Sequence, residues 1–138
     1  MEYFSTFGGS TAACVAASST LQVTLEERLQ QHALTVGHRL LQGLRPLVGQ
    51  LPIVGDVRGS GLFVGVELVR DRTTLEPAPE EATFVVNRMR ERGVLVGTDG
   101  PFHNVIKIRG PMPLTLSDAD RIVETLTLGL YELPRRQL

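Results

Sequence analysis

Lys107 is the only lysine in the chain. In an enzyme acting on amines or carbonyls, a lone lysine invites a Schiff-base reading. The plainer alternative is a strand lysine whose ammonium is solvated or paired to a carboxylate. Two residues on, Arg109 ends a predicted strand just before Gly110 and Pro111, where the backbone leaves the sheet. A planar guanidinium there can hold a carboxylate through two parallel hydrogen bonds, or it can close a structural ion pair at the strand end. From pattern alone both remain open.

Other residues with chemical potential group less well. His32, His38 and His103 are scattered, with no H-E-x-x-H and no Cys–His pair, so a metal site has no support. A Ser–His–Asp triad finds no G-x-S-x-G elbow. Gly55, Gly59, Gly61 and Gly65 suggest a nucleotide loop, but Val64 stands where G-x-G-x-x-G needs its last glycine, and a strand follows instead of a helix. These glycines read as a β-bulge and tight packing. Cys14 is the single cysteine, which excludes an internal disulfide; among alanines it reads as a small buried hydrophobe.

The elements that must position these residues follow from periodicity. Residues 10–23 read as a helix with a narrow small-residue face, too small to bury much alone. Thr24 and Glu27 form a T-x-x-E box that predicts the start of the next helix. Leu25, Leu29, Ala33, Val36, Leu40, Leu44 and Leu47 then recur at steps of three and four, and Gly49 and Pro52 end the helix. His32 and His38 fall off this stripe and read as solvated. Residues 53–58 read as a short strand, Gly59-Ser60-Gly61 as a turn or bulge, and residues 62–69 as a second strand. Residues 70–79 read as a polar loop.

Pro79, Glu80 and Glu81 open a third helix with the stripe Ala82, Val85, Val86 and Met89, and Gly93 closes it. Val94-Leu95-Val96 reads as a short strand and residues 97–104 as a loop. Residues 105–109 read as a strand with Val105, Lys107 and Arg109 on one face and Ile106 and Ile108 on the other. Ser117, with Asp120, is predicted to cap a last helix striped by Ile122, Val123, Leu126 and Leu130. The order ααββαββα implies an α+β fold: a small, mainly antiparallel sheet with helices on one face.

The 138 residues suit one domain, and the net charge of −1 gives no global reason to expect nucleic acid or an anionic membrane. No apolar stretch is long enough to span a membrane. The N-terminal Met1-Glu2-Tyr3-Phe4 has no basic region of the kind that opens a signal peptide. Arg135 and Arg136 read as a frayed surface terminus. A cytoplasmic location fits the cysteine usage.

Three segments together resemble the class III pyridoxal-phosphate (PLP) aminotransferases of fold type I. They are Phe4-Ser5-Thr6-Phe7-Gly8-Gly9-Ser10, the stretch from Gly55 to Leu68, and Ile106-Lys107-Ile108-Arg109-Gly110-Pro111-Met112-Pro113-Leu114. The likeness covers nearly the whole chain. The stretch from Gly97 to Ile108, with Thr74-Leu75-Glu76-Pro77-Ala78, is similar to the branch of ethanolamine-phosphate and 5-phosphohydroxylysine phospho-lyases. The chain departs from the usual family pattern at Ser10-Thr11 and at Gly110.

The resemblance implies a homodimer with sites at the subunit interface. It implies residues 1–23 as a turn and interdomain helix and residues 24–138 as the C-terminal small domain, with the PLP-binding large domain absent. It implies that Thr6 reaches the PLP phosphate of the neighbouring subunit and that Arg109 binds the substrate. The family's Schiff-base lysine lies upstream of the T-F-G-G segment, so no catalytic residue is assigned in this chain, and Lys107 matches a non-catalytic family position. The implied activity of the parent is amino-group transfer between an amine or amino acid and a keto acid. One alternative is phosphate elimination from a phosphorylated amino-alcohol or amino acid. Another is a stand-alone, non-catalytic piece with only an assembly role.

Overall fold

The computed structural model describes residues 4–134, so Met1 to Tyr3 and the Arg135–Arg136 pair lie outside the described residues. The elements are α1 (Thr11–Glu26), α2 (Leu29–Leu44), α3 (Leu47–Gln50), β1 (Val54–Ser60), β2 (Phe63–Asp71), β3 (Glu76–Pro77), α4 (Pro79–Glu91), β4 (Gly97–Asp99), β5 (Val105–Arg109) and α5 (Leu116–Tyr131). The strands form one sheet in the order β1-β2-β5-β4, every pairing antiparallel, with β3 beside the far end of β2. The α+β expectation therefore holds. The one-turn α3 and the two-residue β3 are additions to the predicted order.

One face of the sheet is built from Val57, Val64, Val66, Ile106 and Ile108, all buried. Helices α2 and α4 lie on it, and α5 packs against both. Val36, Leu40 and Leu44 of α2 join Ala82, Val85 and Met89 of α4 and Leu126 and Leu130 of α5 in one continuous core. The seam between α2 and the β1–β2 turn is backbone on backbone. A Cβ on Gly37 would lie 1.9 Å from the Gly61 carbonyl oxygen, and Gly61 itself turns through φ +52°. Only a residue without a side chain lets the helix come that close.

Several boundaries differ from the sequence reading. Helix α1 runs through Thr24 to Glu26, and the Thr24 hydroxyl donates to the Thr20 carbonyl at 2.8 Å instead of capping a new helix. A mid-helix threonine bonds back in this way when the preceding turn is already helical. The break falls at Arg28, which adopts a left-handed conformation. Helix α2 stops at Leu44, Gly49 lies inside α3, and Pro52 falls in the turn that leads into β1. Helix α5 is capped by Thr115, not Ser117. The Thr115 hydroxyl accepts from the Asp118 N–H at 3.1 Å, and the Asp118 carboxylate accepts from the Thr115 N–H at 3.0 Å. This is the reciprocal box of [ST]-x-x-[DE], two residues earlier than predicted.

Val94-Leu95-Val96 is not a strand. The Val94 N–H is drawn back to the Met89 carbonyl to close α4, and pairing with β5 begins only at Gly97, opposite Lys107. The bulge foreseen among the glycines lies at Gly55, where the register shifts between Val54 and Asp56.

Candidate functional site

The Arg109 residue ends β5 opposite Phe63 of β2. It is exposed, and no hydrogen bond or ion pair engages its guanidinium among the described residues. It borders an open cleft of about 230 Å³ between the α4–β4 connection and α5, with Arg121 and Asp118 on the far wall. Arg121 donates to the Arg92 carbonyl at 3.0 Å. The Thr115 hydroxyl and N–H hold Asp118 below the usual carboxylate range.

Thr6 sits in the exposed turn before α1. There the Ser5 hydroxyl accepts from the Gly8 N–H at 3.0 Å and Gly9 takes φ +79°. The Thr6 side chain has no partner among the described residues. The turn leads directly into a sixteen-residue helix, whose N-terminal peptide dipoles favour an anion. The structure does not bring Thr6 and Arg109 together. Arg109 shares its cleft with Arg121 and Asp118, whereas Thr6 lies in the exposed turn ahead of α1, a helix with no buried residue.

Lys107 takes the paired alternative. Its ammonium donates to Asp99 at 2.5 Å, and this hydrogen bond, with the Gly100 N–H, lowers the Asp99 carboxyl from its ordinary range. Cys14 corrects the sequence reading: it is exposed, because no residue of α1 is buried. His32 also differs. It is half-buried, and its Nε2–H donates to the Leu114 carbonyl at 2.8 Å, tying α2 to the loop after Arg109. Among the described residues no group of three His, Cys, Asp or Glu could hold a metal ion, and no helix is long and apolar enough to cross a membrane.

Sequence reasoning missed a second cleft, of about 390 Å³, on the helix-free face of the sheet. Arg58, Phe63, Gly65, Val105 and Lys107 line it. One terminal nitrogen of Arg58 donates to Asp56 at 2.7 Å and to Glu67 at 2.5 Å, and these two bonds raise its pKa. The alternation about Gly65 and Glu67 was visible in sequence. The cross-strand register that sets Gly65 between Arg58 and Lys107 was not.

Comparison with known proteins accounts for this architecture. The aminotransferase class-III family matches residues 1–130. An alanine–glyoxylate aminotransferase 2-like protein of Drosophila melanogaster is 45% identical over 135 residues, covering 94% of this chain and 27% of the relative. Among solved structures, an Arthrobacter phospholyase in complex with phosphoethanolamine superposes with a TM-score of 0.89 at 33% identity, over 96% of this chain and 31% of that one. An amine transaminase from an uncultivated Pseudomonas species, solved with PLP bound, gives 0.84 at 32% identity, over 97% and 30%. PLP is thus the cofactor found in the family. The chain spans only about a quarter of the length of the curated relatives it matches. By sequence and by fold, the chain belongs to the class III aminotransferase family.

Proposed function

We propose that these residues are the C-terminal part of a PLP-dependent class III enzyme that transfers an amino group between an amine or amino acid and a keto acid. One observation carries this reading: the family match runs along nearly the whole chain yet spans about a quarter of its relatives. In this reading residues 1–23 are the turn and interdomain helix, residues 24–138 form the small domain, and the PLP-binding large domain is supplied by sequence outside these 138 residues. The enzyme works as a homodimer. A single exposed cysteine without a disulfide fits a cytoplasmic location.

The residues present fit one part of a PLP site. The exposed Thr6 hydroxyl, at a glycine turn ahead of a helix, can donate to the cofactor phosphate of the neighbouring subunit. No covalent anchor is assigned among them: the sole lysine, Lys107, matches a non-catalytic position of the family and pairs with Asp99. When bound, PLP supplies an electron sink for the substrate carbanion. This chain's own part is positioning. Arg109, unpaired at a strand end, can grip a carboxylate by two parallel hydrogen bonds and so orient the substrate.

A second reading has its own support. The likeness to the phosphoethanolamine-bound phospholyase favours elimination of phosphate from a phosphorylated amino-alcohol or amino acid. Arg109 would then face a phosphate or a carboxylate.

Mixing the purified chain with PLP, reducing with borohydride and weighing the product tests the division of labour. The expected result is no adduct; a stoichiometric adduct on Lys107 would overturn it. With the upstream sequence restored, amino-group transfer to a keto acid is measured beside phosphate release from phosphoethanolamine. Release without transfer would replace the first reading by the second. In that enzyme Arg109→Gln should raise KM for a carboxylate substrate about tenfold or more.

A further inference from the structure

The helix-free face of the sheet is ordered into rows by its register. Asp56, Glu67, Val105 and Asp99 stand side by side across β1, β2, β5 and β4. The next row is Arg58, Gly65, Lys107 and Gly97, and the row after it is Ser60, Phe63 and Arg109. All three acids therefore lie in one row, and all three cations lie in the two rows beyond it. The face is dipolar, with its positive side around Gly65 and Phe63.

Gly65 is the unexplained member. A glycine inside a strand weakens it and often marks close approach by something else. Gly37 and Gly59 are required by their own packing, since a Cβ on either would lie 1.9 or 2.4 Å from a backbone oxygen. A Cβ on Gly65 would meet only a methyl of Val105 at 3.1 Å, and one on Gly97 would meet nothing within 4 Å. Packing does not require glycine at either position, and both positions leave space beside Lys107.

The donors around this space are only partly used. Arg58 spends one terminal nitrogen on both carboxylates, leaving Nη2 and Nε. The Lys107 ammonium makes one hydrogen bond of its three. The acceptors, by contrast, are already engaged by these cations. Phe63, 57% exposed, forms an apolar wall.

The geometry points to an oxyanion seat over Gly65, between Arg58 and Lys107, that takes a carboxylate or phosphate group borne on a short apolar stem lying along Phe63. The seat is separate from the role proposed for Arg109 and does not depend on it. Arg58 and Lys107 hold the oxyanion; Gly65 keeps its place vacant of side chain.

The test titrates the full chain, labelled with nitrogen-15, with inorganic phosphate and separately with acetate at constant ionic strength. The amide signals of Gly65 and Gly97 are followed. At least one probe should saturate with millimolar affinity. Arg58→Gln and Lys107→Gln should each weaken it by about tenfold or more, Gly65→Val should abolish it, and Arg90→Gln, on the exposed face of α4, should leave it unchanged. Gly65→Ala, a smaller intrusion, should weaken binding in part with an unaltered circular dichroism spectrum, which separates a filled seat from a failed fold. Saturation by phosphate alone assigns a phosphate seat, by acetate alone a carboxylate seat, and by both a general oxyanion seat. No saturation with either probe, or equal loss in Arg90→Gln and Arg58→Gln, would overturn the proposal.

Discussion

Helices α1 and α5 are each sixteen residues long, yet α5 buries six residues and α1 none. The difference lies in spacing. In α5, Ala119, Ile122, Thr125, Leu126, Gly129 and Leu130 fall on one stripe that meets α2 and α4. In α1, Val15, Leu21, Val23 and Leu25 point in several directions, and each is at least 44% exposed. A helix of the first kind is held by the domain it belongs to. A helix of the second kind is suited to being covered from more than one side, as the proposed interdomain position requires.

The contrast breaks first in the core. Leu40→Ala removes a fully buried side chain that joins α2 to the sheet and should cost about 2–5 kcal/mol of unfolding free energy. Urea denaturation reads this directly, and a loss below about 1 kcal/mol would mean that α2 is not anchored as described. Next comes the seam under α2. Gly37→Ala forces a methyl onto the Gly61 carbonyl and should cost about 1–3 kcal/mol or more. Gly49→Ala, in α3, enters open space and should be neutral or stabilising by up to about 1 kcal/mol. Equal effects at the two glycines would deny that the seam is close.

The cap of α5 sharpens the comparison on a smaller scale, because Ser10 at the start of α1 makes no side-chain cap at all. Thr115→Ala should cost about 1 kcal/mol, whereas Ser117→Ala should stay within about 0.5 kcal/mol. The cap also predicts a pH dependence. Asp118 is held below the usual carboxylate range by the Thr115 hydroxyl and N–H, as Asp99 is by Lys107 and Asp120 by Arg39. A depressed carboxylate contributes stability above its unfolded pKa and loses it as pH falls through the lower folded value. Melting temperature should therefore drop on acidification below the ordinary aspartate range, and Asp118→Asn should flatten part of that drop. A melting temperature that rises on acidification would contradict the cap.

Most of the sheet-and-helix layer was legible because its signals are local. Val105 to Arg109 alternates cleanly, and Pro79 with two glutamates announces α4, so strand and helix appear where periodicity puts them. Boundaries failed where two local motifs compete. Thr24 and Glu27 spell a capping box as well as Thr115 and Asp118 do, but the preceding turn of α1 was already helical and absorbed Thr24. Nothing in the sequence ranks one box above the other; packing beyond each box does. Cys14 differs for a related reason: small residues suggest burial, but burial needs a neighbour, and the described chain buries no residue of α1. At the candidate site, the residue types of Arg109 and Lys107 were legible and the free or paired state of each was not. Pairing depends on Asp99 arriving from β4, a strand whose position the sequence reading had shifted by three residues.

The smallest expected effect tests α1 itself. Leu21→Ala should change the stability of the isolated chain by less than about 0.5 kcal/mol, because its side chain leaves no core. Cys14, exposed on the same helix, should react with a thiol reagent at the rate of a free cysteine without denaturant. If copies of the chain cover one another's α1, both results change with concentration: the thiol slows as protein concentration rises, and Leu21→Ala shifts the dilution at which it speeds up again. A thiol protected equally at every concentration would mean that α1 is covered within a single chain. The comparison between α1 and α5 would then fail, and with it the reading of α1 as a helix built to meet another surface.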